Sequence, residues 1–225
     1  MLKRMYDIVF AVSFIIVISP FWLIIAVIIK MTSRGPVIYK AQRVGRNARP
    51  FTLYKFRTMR VESGDIPVTT LNNDDRIYPF GNFLRKSKLD ETLQVINILL
   101  GQMSVVGPRP EDASIAEKIY VGHYLRIYET KPGLTSPASL FDYTYGKYYE
   151  TQEQYIAEFL PVKLEMEVYY VEHKNIWYDI KLTAKTAKTV IQVLLGKKEF
   201  PYPREYAECV KASINERQPQ ETIHV

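Results

Sequence analysis

Residues 8–29 read Ile-Val-Phe-Ala-Val-Ser-Phe-Ile-Ile-Val-Ile-Ser-Pro-Phe-Trp-Leu-Ile-Ile-Ala-Val-Ile-Ile, 22 residues without a charge. Roughly 20 apolar residues in helical form cross a ~30 Å hydrocarbon core, so the length is that of a membrane span. Two features argue against a plain crossing. Pro20 removes a backbone donor and its ring collides with the carbonyl one turn earlier, which predicts a kink or break at Ile16 to Pro20. Lys3 and Arg4 precede the run and Lys30 and Arg34 follow it, and positive charge marks the cytoplasmic side. With cations at both ends, the economical arrangement is a re-entrant helix that enters the membrane and returns to the same face. Backbone left unpaired at depth must be buried in protein or rescued by a side chain, and Ser19 is placed for that. The competing reading is an ordinary signal anchor that tolerates its proline. A cleaved signal peptide fits less well, because the stretch is long and no small-x-small site follows it.

Outside this run the chain is soluble in character. The 225 residues are 47% hydrophobic and 24% charged, a globular composition, and no second long apolar run appears, which excludes a multi-span transporter. A net charge of +6 suits anionic headgroups, nucleic acid or a phosphorylated substrate. Beside a membrane anchor, nucleic acid is the least economical of these, so none is expected. A single cysteine, Cys209, excludes an internal disulfide and a cysteine-rich metal site. Seventeen tyrosines suit a protein lying in the interfacial zone.

Downstream, Val37 to Tyr39 and Phe51 to Met59 read as strands of a small antiparallel hairpin joined by a basic connector. Period two would put Phe51, Leu53, Lys55, Arg57 and Met59 on one face, where the two cations need an anionic partner. Glu62 to Arg76 is polar and turn-rich and reads as a mobile loop. Ser87 to Gly101 reads as one helix: Ser87 as N-cap, Asp90 in capping-box position, an apolar stripe at Leu89, Leu93, Ile96 and Leu100, and Gly101 at the end. Helical stretches are also expected around Ile115 to Thr130 and Glu153 to Glu172. From Tyr178 to Lys198, Ile180, Ala184, Ala187, Ile191 and Leu194 share a helical face beside Lys181, Lys185 and Lys188. That pattern suits an interfacial amphipathic helix with snorkelling lysines, or equally a helix covering a protein core. The fold class is α+β, predominantly helical, with a re-entrant N-terminal membrane helix, interfacial amphipathic helices and a small antiparallel β element.

Asp90 and Glu91 are adjacent acids in the first turn of the expected helix. Alone they are explained by the helix dipole and the capping box. Their neighbours change the weighing. Arg85, Lys86 and Lys88 cluster beside them, and Gly107-Pro108-Arg109-Pro110 follows as a rigid loop holding one arginine, the residue suited to bidentate phosphate contact. Lys55 and Arg57 add cations. A carboxylate among cations is expected to have a depressed pKa and to stay ionised, as a nucleophile or a hard-metal ligand. The chemistry indicated is phosphoryl transfer.

These pieces together resemble the bacterial sugar transferases known as monotopic phosphoglycosyl transferases. The matching stretches are the apolar segment with Ser19-Pro20, Gln42 to Asn47, Tyr54 to Met59, Asp75 to Ile77 with Gly81 to Lys86, Leu89 to Gln94, Asn97 with Gly101 to Glu111, and Lys131 to Thr135. Tyr178 to Lys181 also looks like the family's late helix start. The resemblance covers roughly residues 1–195, in order. It implies transfer of a sugar 1-phosphate from a UDP-sugar to polyprenyl (undecaprenyl) phosphate, with release of UMP, as the first membrane step of bacterial surface-glycan biosynthesis. It further implies a covalent phosphosugar intermediate on Asp90, a proton-transfer or positioning role for Glu91, and Mg2+ assisting with Asp90 as a ligand. Lys55, Arg57, Arg85, Lys88 and Arg109 would bind substrate phosphate. The location would be the cytoplasmic face of the bacterial inner membrane, with membrane lipids as partners and self-association left open. The domains would be a re-entrant anchor over 1–33, a catalytic domain over 34–200 and a polar C-terminal tail over 201–225. The resemblance is to minimal-core members. After Thr135 the chain departs from the family's usual continuation, with Ser136-Pro137-Ala138-Ser139 and a tyrosine-rich stretch that the resemblance would place beside the acceptor or sugar pocket. Competing readings are a metal-dependent phosphohydrolase and a lipid-binding scaffold without catalysis.

Overall fold

The apolar run forms one continuous helix, α1 (Leu2–Thr32), with Pro20 inside it. The computed structural model describes residues 1–61, 76–149 and 151–217; the loop expected from Glu62 lies outside them as far as position 75. The break expected between Ile16 and Pro20 does not occur. A proline inside a helix removes one hydrogen bond, and the apolar helix formers on either side carry α1 through it.

At 1.5 Å per residue, α1 is about 46 Å long if straight, and both its ends are fastened to the same body. Near the N-terminal end Lys3 Nζ donates to Val106 O (2.9 Å) and pairs with the buried Asp179 (2.5 Å). Arg4 donates to Ile98 O (2.6 Å) and Leu99 O (2.9 Å). The buried carboxylate of Asp7 accepts from Ser104 Oγ and the Val105 N–H. At the other end Ile25 and Ile29 pack with Phe56, Leu84 and Leu93. Between these anchors Val12, Ile16, Val17, Phe21, Leu23 and Ile24 are exposed.

β1 (Ile38–Val44) and β2 (Pro50–Phe56) form the expected antiparallel hairpin, with Ile38 opposite Phe56 and Val44 opposite Pro50. The period-two face does not extend beyond it: β2 stops at Phe56, and Phe56, Arg57 and Thr58 are buried in succession. α2 (Pro79–Ser87) follows, then Lys88 in the left-handed region (φ 58°), a 3-10 helix (Leu89–Leu93) and α3 (Gln94–Leu99).

The single helix from Ser87 to Gly101 is therefore corrected. Ser87 closes α2, its hydroxyl donating back to Phe83 O and Leu84 O, so it makes no capping box with Asp90. Lys88 reverses the chain, and the tighter 3-10 winding turns Val95 and Ile98 into the core while Leu100 is left exposed.

A two-stranded parallel pair, β3 (Ser104–Val106) with β4 (Gly133–Thr135), was not legible in the sequence. Between these strands lie α4 (Ala113–Ile119) and a 3-10 helix (Gly122–Glu129), where one helix was expected. At the end of β3, Gly107 meets Gly133. A Cβ on Gly133 would lie 2.1 Å from Gly107 N, and one on Gly107 2.3 Å from Lys131 O. The Gly-Pro-Arg-Pro and Lys-Pro-Gly motifs are thus two halves of one backbone crossing.

The remainder is helical: α5 (Pro137–Tyr145), the short α6 (Gln152–Gln154) leading through a π-turn into α7 (Leu160–His173), α8 (Ile176–Leu194) and α9 (Tyr206–Arg217). On α8, Ile180, Ile191 and Leu194 of the expected apolar face are exposed, and the protein core takes the opposite side through Asp179, Leu182 and Thr189. The stretch expected as a polar tail from 201 holds α9. Cys209 is buried with Phe141, Phe159, Val162 and Met166, and Tyr206 lies 5.3 Å from Phe141 ring to ring. Tyr206, Cys209 and Val210 make an i, i+3, i+4 stripe too short to stand out in the sequence.

Candidate active site

The left-handed Lys88 and the 3-10 turn carry Asp90 and Glu91 inward, where both are buried. Asn97 pins this segment to the hairpin: its amide donates to Thr52 O and Gln102 Oε1, both at 2.7 Å, and its Oδ1 accepts from the Tyr54 N–H. Lys55 follows Tyr54 on β2, and its ammonium stands 5.3 Å from the centre of the Tyr39 ring. Arg85 on α2 donates from Nε to Thr58 Oγ1 (2.9 Å). Lys88 lies 4.9 Å over the Tyr143 ring of α5.

Arg109 grips Glu91 with both ends of its guanidinium, Nη2 to Oε1 at 2.8 Å and Nη1 to Oε2 at 3.5 Å. The loop that carries it is held from beneath. The Arg109 N–H donates to Glu167 Oε1 (3.0 Å), the same oxygen accepts from Ser136 Oγ (3.1 Å), and Glu167 is fully buried.

The two acids are electrostatically unlike. Burial opposes ionisation of Glu91, but Arg109, Lys88 and Lys55 outweigh it and hold its carboxyl well below the usual range. For Asp90, burial and the neighbouring Glu91 charge prevail over Lys88, Lys55 and Arg85, and its pKa rises to about 6. The depressed pKa expected for a carboxylate among cations therefore applies to Glu91 and is reversed at Asp90, because Arg109 is committed to Glu91. Asp90 Oδ1 is buried with no hydrogen-bond partner among the described residues. Burial lowers the Lys55 pKa, against the pull of Asp90 and Glu91.

The fold brings Lys55, Arg85, Lys88 and Arg109 to the acids and keeps Arg57 away. Its guanidinium donates to Pro36 O (2.6 Å), Arg34 O (2.6 Å), Ser33 O (2.8 Å) and Ser33 Oγ (3.1 Å), stapling the exit of α1. Ser19 and Pro20 sit on the exposed middle of α1, away from these groups.

Several residues of the site escaped the sequence reading. Lys163 is buried between Glu111 (3.4 Å) and Asp142 (3.3 Å). Burial would raise the Asp142 pKa, but Lys163, Arg109 and Lys88 lower it. Trp22 of α1 donates to Thr92 Oγ1. The available signal was charge within apolar surroundings: Lys163, Glu165 and Glu167 punctuate the otherwise apolar run of α7.

Among the described residues there is no cluster of three or more His, Cys, Asp or Glu side chains able to hold a metal. Mg2+ is commonly held by one or two carboxylates together with substrate phosphates and water. The orphan oxygen of Asp90, beside cations that suit phosphate, fits an ion of that kind arriving with a diphosphate.

The family model for bacterial sugar transferases matches residues 1–193. The chain belongs to the bacterial sugar transferase family. It is 37% identical over 190 residues to UDP-glucose:undecaprenyl-phosphate glucose-1-phosphate transferase of Escherichia coli (strain K12), which covers 83% of this chain and 39% of that relative. Identity to the protein of the same name from Klebsiella pneumoniae is 38% over 184 residues, 80% of this chain and 38% of the relative. Identity to UDP-N-acetylgalactosamine-undecaprenyl-phosphate N-acetylgalactosaminephosphotransferase of Aeromonas hydrophila is 33% over 193 residues, 84% and 44% respectively. The chain thus spans about two fifths of the length of these curated relatives. All the acids and cations gathered around Asp90 fall inside the family match, and α9 lies beyond it.

Proposed function

We propose that this chain is a phosphoglycosyl transferase that moves a sugar 1-phosphate from a UDP-sugar to undecaprenyl phosphate and releases UMP. The carrying observation is the Asp90 environment. One buried carboxylate with an unpartnered oxygen faces a cation cluster, while the adjacent carboxylate is neutralised by Arg109. The names of the relatives point to the same donor and acceptor classes.

In the first step an Asp90 carboxylate oxygen attacks the donor's β-phosphorus. The bond from that phosphorus to the bridging oxygen breaks, and UMP leaves. An oxygen of undecaprenyl phosphate then attacks the same phosphorus, the bond to Asp90 breaks and its carboxylate returns. Lys55, Arg85 and Lys88 offset the charge that two anionic substrates bring to an anionic nucleophile. Glu91, held ionised, is a poor proton donor and serves to position Arg109. Mg2+ bound by Asp90 and the diphosphate would act as a Lewis acid that disperses negative charge on the leaving group.

The body would sit on the cytoplasmic face of the inner membrane, with α1 re-entrant through a bend at Pro20 rather than a break in the helix. Support comes from α1 being fastened to one body at both ends and from the exposed apolar residues between. The exposed apolar face of α8, flanked by Lys181, Lys185 and Lys188, suits the same interface.

Intact-protein mass spectrometry after mixing enzyme, Mg2+ and a UDP-sugar without acceptor tests the reading. A phosphosugar adduct is expected, absent in Asp90→Asn and discharged by undecaprenyl phosphate. UMP release in water at the full rate with no acceptor would instead indicate a phosphohydrolase.

A further inference from the structure

Where α3 turns into β3, Gly101 adopts φ +78° and leaves an open point beside its backbone. A Cβ built there would lie 3.7 Å from Lys131 Nζ and 3.8 Å from Arg4 Nη2, so two cationic tips converge on one unfilled spot. Lys131 Nζ has no hydrogen-bond or ion-pair partner among the described residues. Arg4 Nη2 gives one bond to Leu99 O, which leaves its second N–H unused. Asp7 is an acid whose charge reaches Lys131, and its Oδ1 already accepts from Ser104 and Val105. Burial and Arg4 lower the Lys131 pKa, and the Asp7 charge offsets them only in part. Arg46 adds to the same positive field.

Exposed apolar side chains adjoin the pair along the chain. Leu2 and Met5 flank Arg4 on α1, and Leu100 adjoins Gly101; all three are exposed. Converging cations with exposed apolar side chains next to them in the chain match the chemistry of an anionic phospholipid, with a phosphodiester between the cations and its acyl chains in the membrane that α1 enters.

We propose that Arg4 and Lys131, converging where Gly101 carries no side chain, form a binding site for the headgroup phosphate of an anionic phospholipid, separate from the Asp90 centre. The site rests on the membrane placement of α1 proposed above. Bound there, a lipid would fix the depth of the N-terminal end of α1.

The test uses the full chain in neutral detergent, titrated with short-chain phosphatidylglycerol, short-chain phosphatidylcholine or inorganic phosphate, and followed by thermal unfolding. Phosphatidylglycerol should raise the melting temperature saturably, and phosphatidylcholine should not. Lys131→Gln, which breaks no hydrogen bond or ion pair among the described residues, should unfold close to the wild-type temperature without lipid and bind phosphatidylglycerol about fivefold more weakly, the usual worth of one basic residue at an anionic surface. Arg4→Lys, which keeps the charge but loses the fork, should also weaken it. Equal titrations for wild type and Lys131→Gln would overturn the site. An equal response to inorganic phosphate would overturn the lipid assignment. Partition of the chain between detergent-rich and aqueous phases reports separately on the membrane placement: a chain that stays aqueous refutes that placement, whereas a detergent-phase chain indifferent to phosphatidylglycerol refutes only the site.

Discussion

Trp22 of α1 donates its indole N–H to Thr92 Oγ1 at 3.0 Å, and the Thr92 hydroxyl in turn donates to Leu89 O at 2.7 Å. Thr92 directly follows Glu91. The turn that carries both acids is therefore tied to the apolar helix two residues past Pro20, which sets the height of Asp90 relative to α1. If Asp90 is the nucleophile proposed above, meeting both a soluble nucleotide sugar and a lipid phosphate, it has to stand at the boundary between their two media.

Trp22→Phe keeps most of the packing and removes this hydrogen bond, worth about 1 kcal/mol. Adduct formation from the soluble donor should change little, while turnover with undecaprenyl phosphate should fall several-fold through a higher acceptor KM. Equal losses in both half-reactions would argue that Trp22 serves the whole site rather than acceptor access.

Arg109→Lys keeps a charge and loses the fork that holds Glu91. A decrease of about 100-fold in kcat/KM is expected, comparable with removal of one preorganised donor from a transition-state site. Arg109→Ala should also destabilise the fold by about 1–3 kcal/mol, because the buried Glu91 carboxylate loses its bidentate partner and keeps only the fields of Lys88 and Lys55. Chemical denaturation at pH 7 measures the second effect, and steady-state UMP release the first.

Asp90→Asn removes the proposed nucleophile together with a carboxyl whose ionisation is opposed by burial. Adduct formation should vanish while the melting temperature holds or rises by about 2–4 °C, the usual trade between stability and an active site kept under electrostatic tension. A variant that unfolds would show instead that the carboxylate is needed by the fold.

Glu167 is a buried carboxyl raised to about 7, chiefly by burial, against the Arg109 N–H, Lys163 and Ser136. Between its unfolded value near 4.3 and about 7 the native state binds the extra proton. This group therefore makes stability fall as pH rises through that window. Glu167→Gln keeps an acceptor for Arg109 and Ser136 without the charge. Melting curves from pH 5 to 8 should show a shallower decline for the variant, with its advantage over wild type growing toward pH 8.

Single cysteines placed beside Lys3 and beside Lys30, in a Cys209→Ser background, should both react with an impermeant reagent only from the cytoplasmic side. Periplasmic labelling of the site beside Lys3 would convert α1 into a crossing anchor.

Much of the site could be read along the chain because its signals are contiguous. Asp90-Glu91 sits beside Arg85 and Lys88, and two prolines stiffen the loop around Arg109. The hairpin followed from two β-rich runs, and α1 from 22 apolar residues between basic flanks. Each of these is a property of neighbours, decided by local propensity and hydrophobicity.

Other features depended on contacts that no local pattern encodes. Lys55 and Arg57 look equivalent on an ideal strand, but β2 ends at Phe56, and Arg57 turns to the carbonyls that follow α1. Gly107 and Gly133 acquire a shared reason only where their backbones touch. α9 counts as a polar tail until Cys209 finds Phe141 and Phe159. The opposite pKa shifts of Asp90 and Glu91 are the clearest case. Composition showed acids among cations, whereas tertiary structure decided which acid received the arginine and how much water each lost. Desolvation and Coulomb energy sum over every group that folding brings near, whatever its distance in sequence.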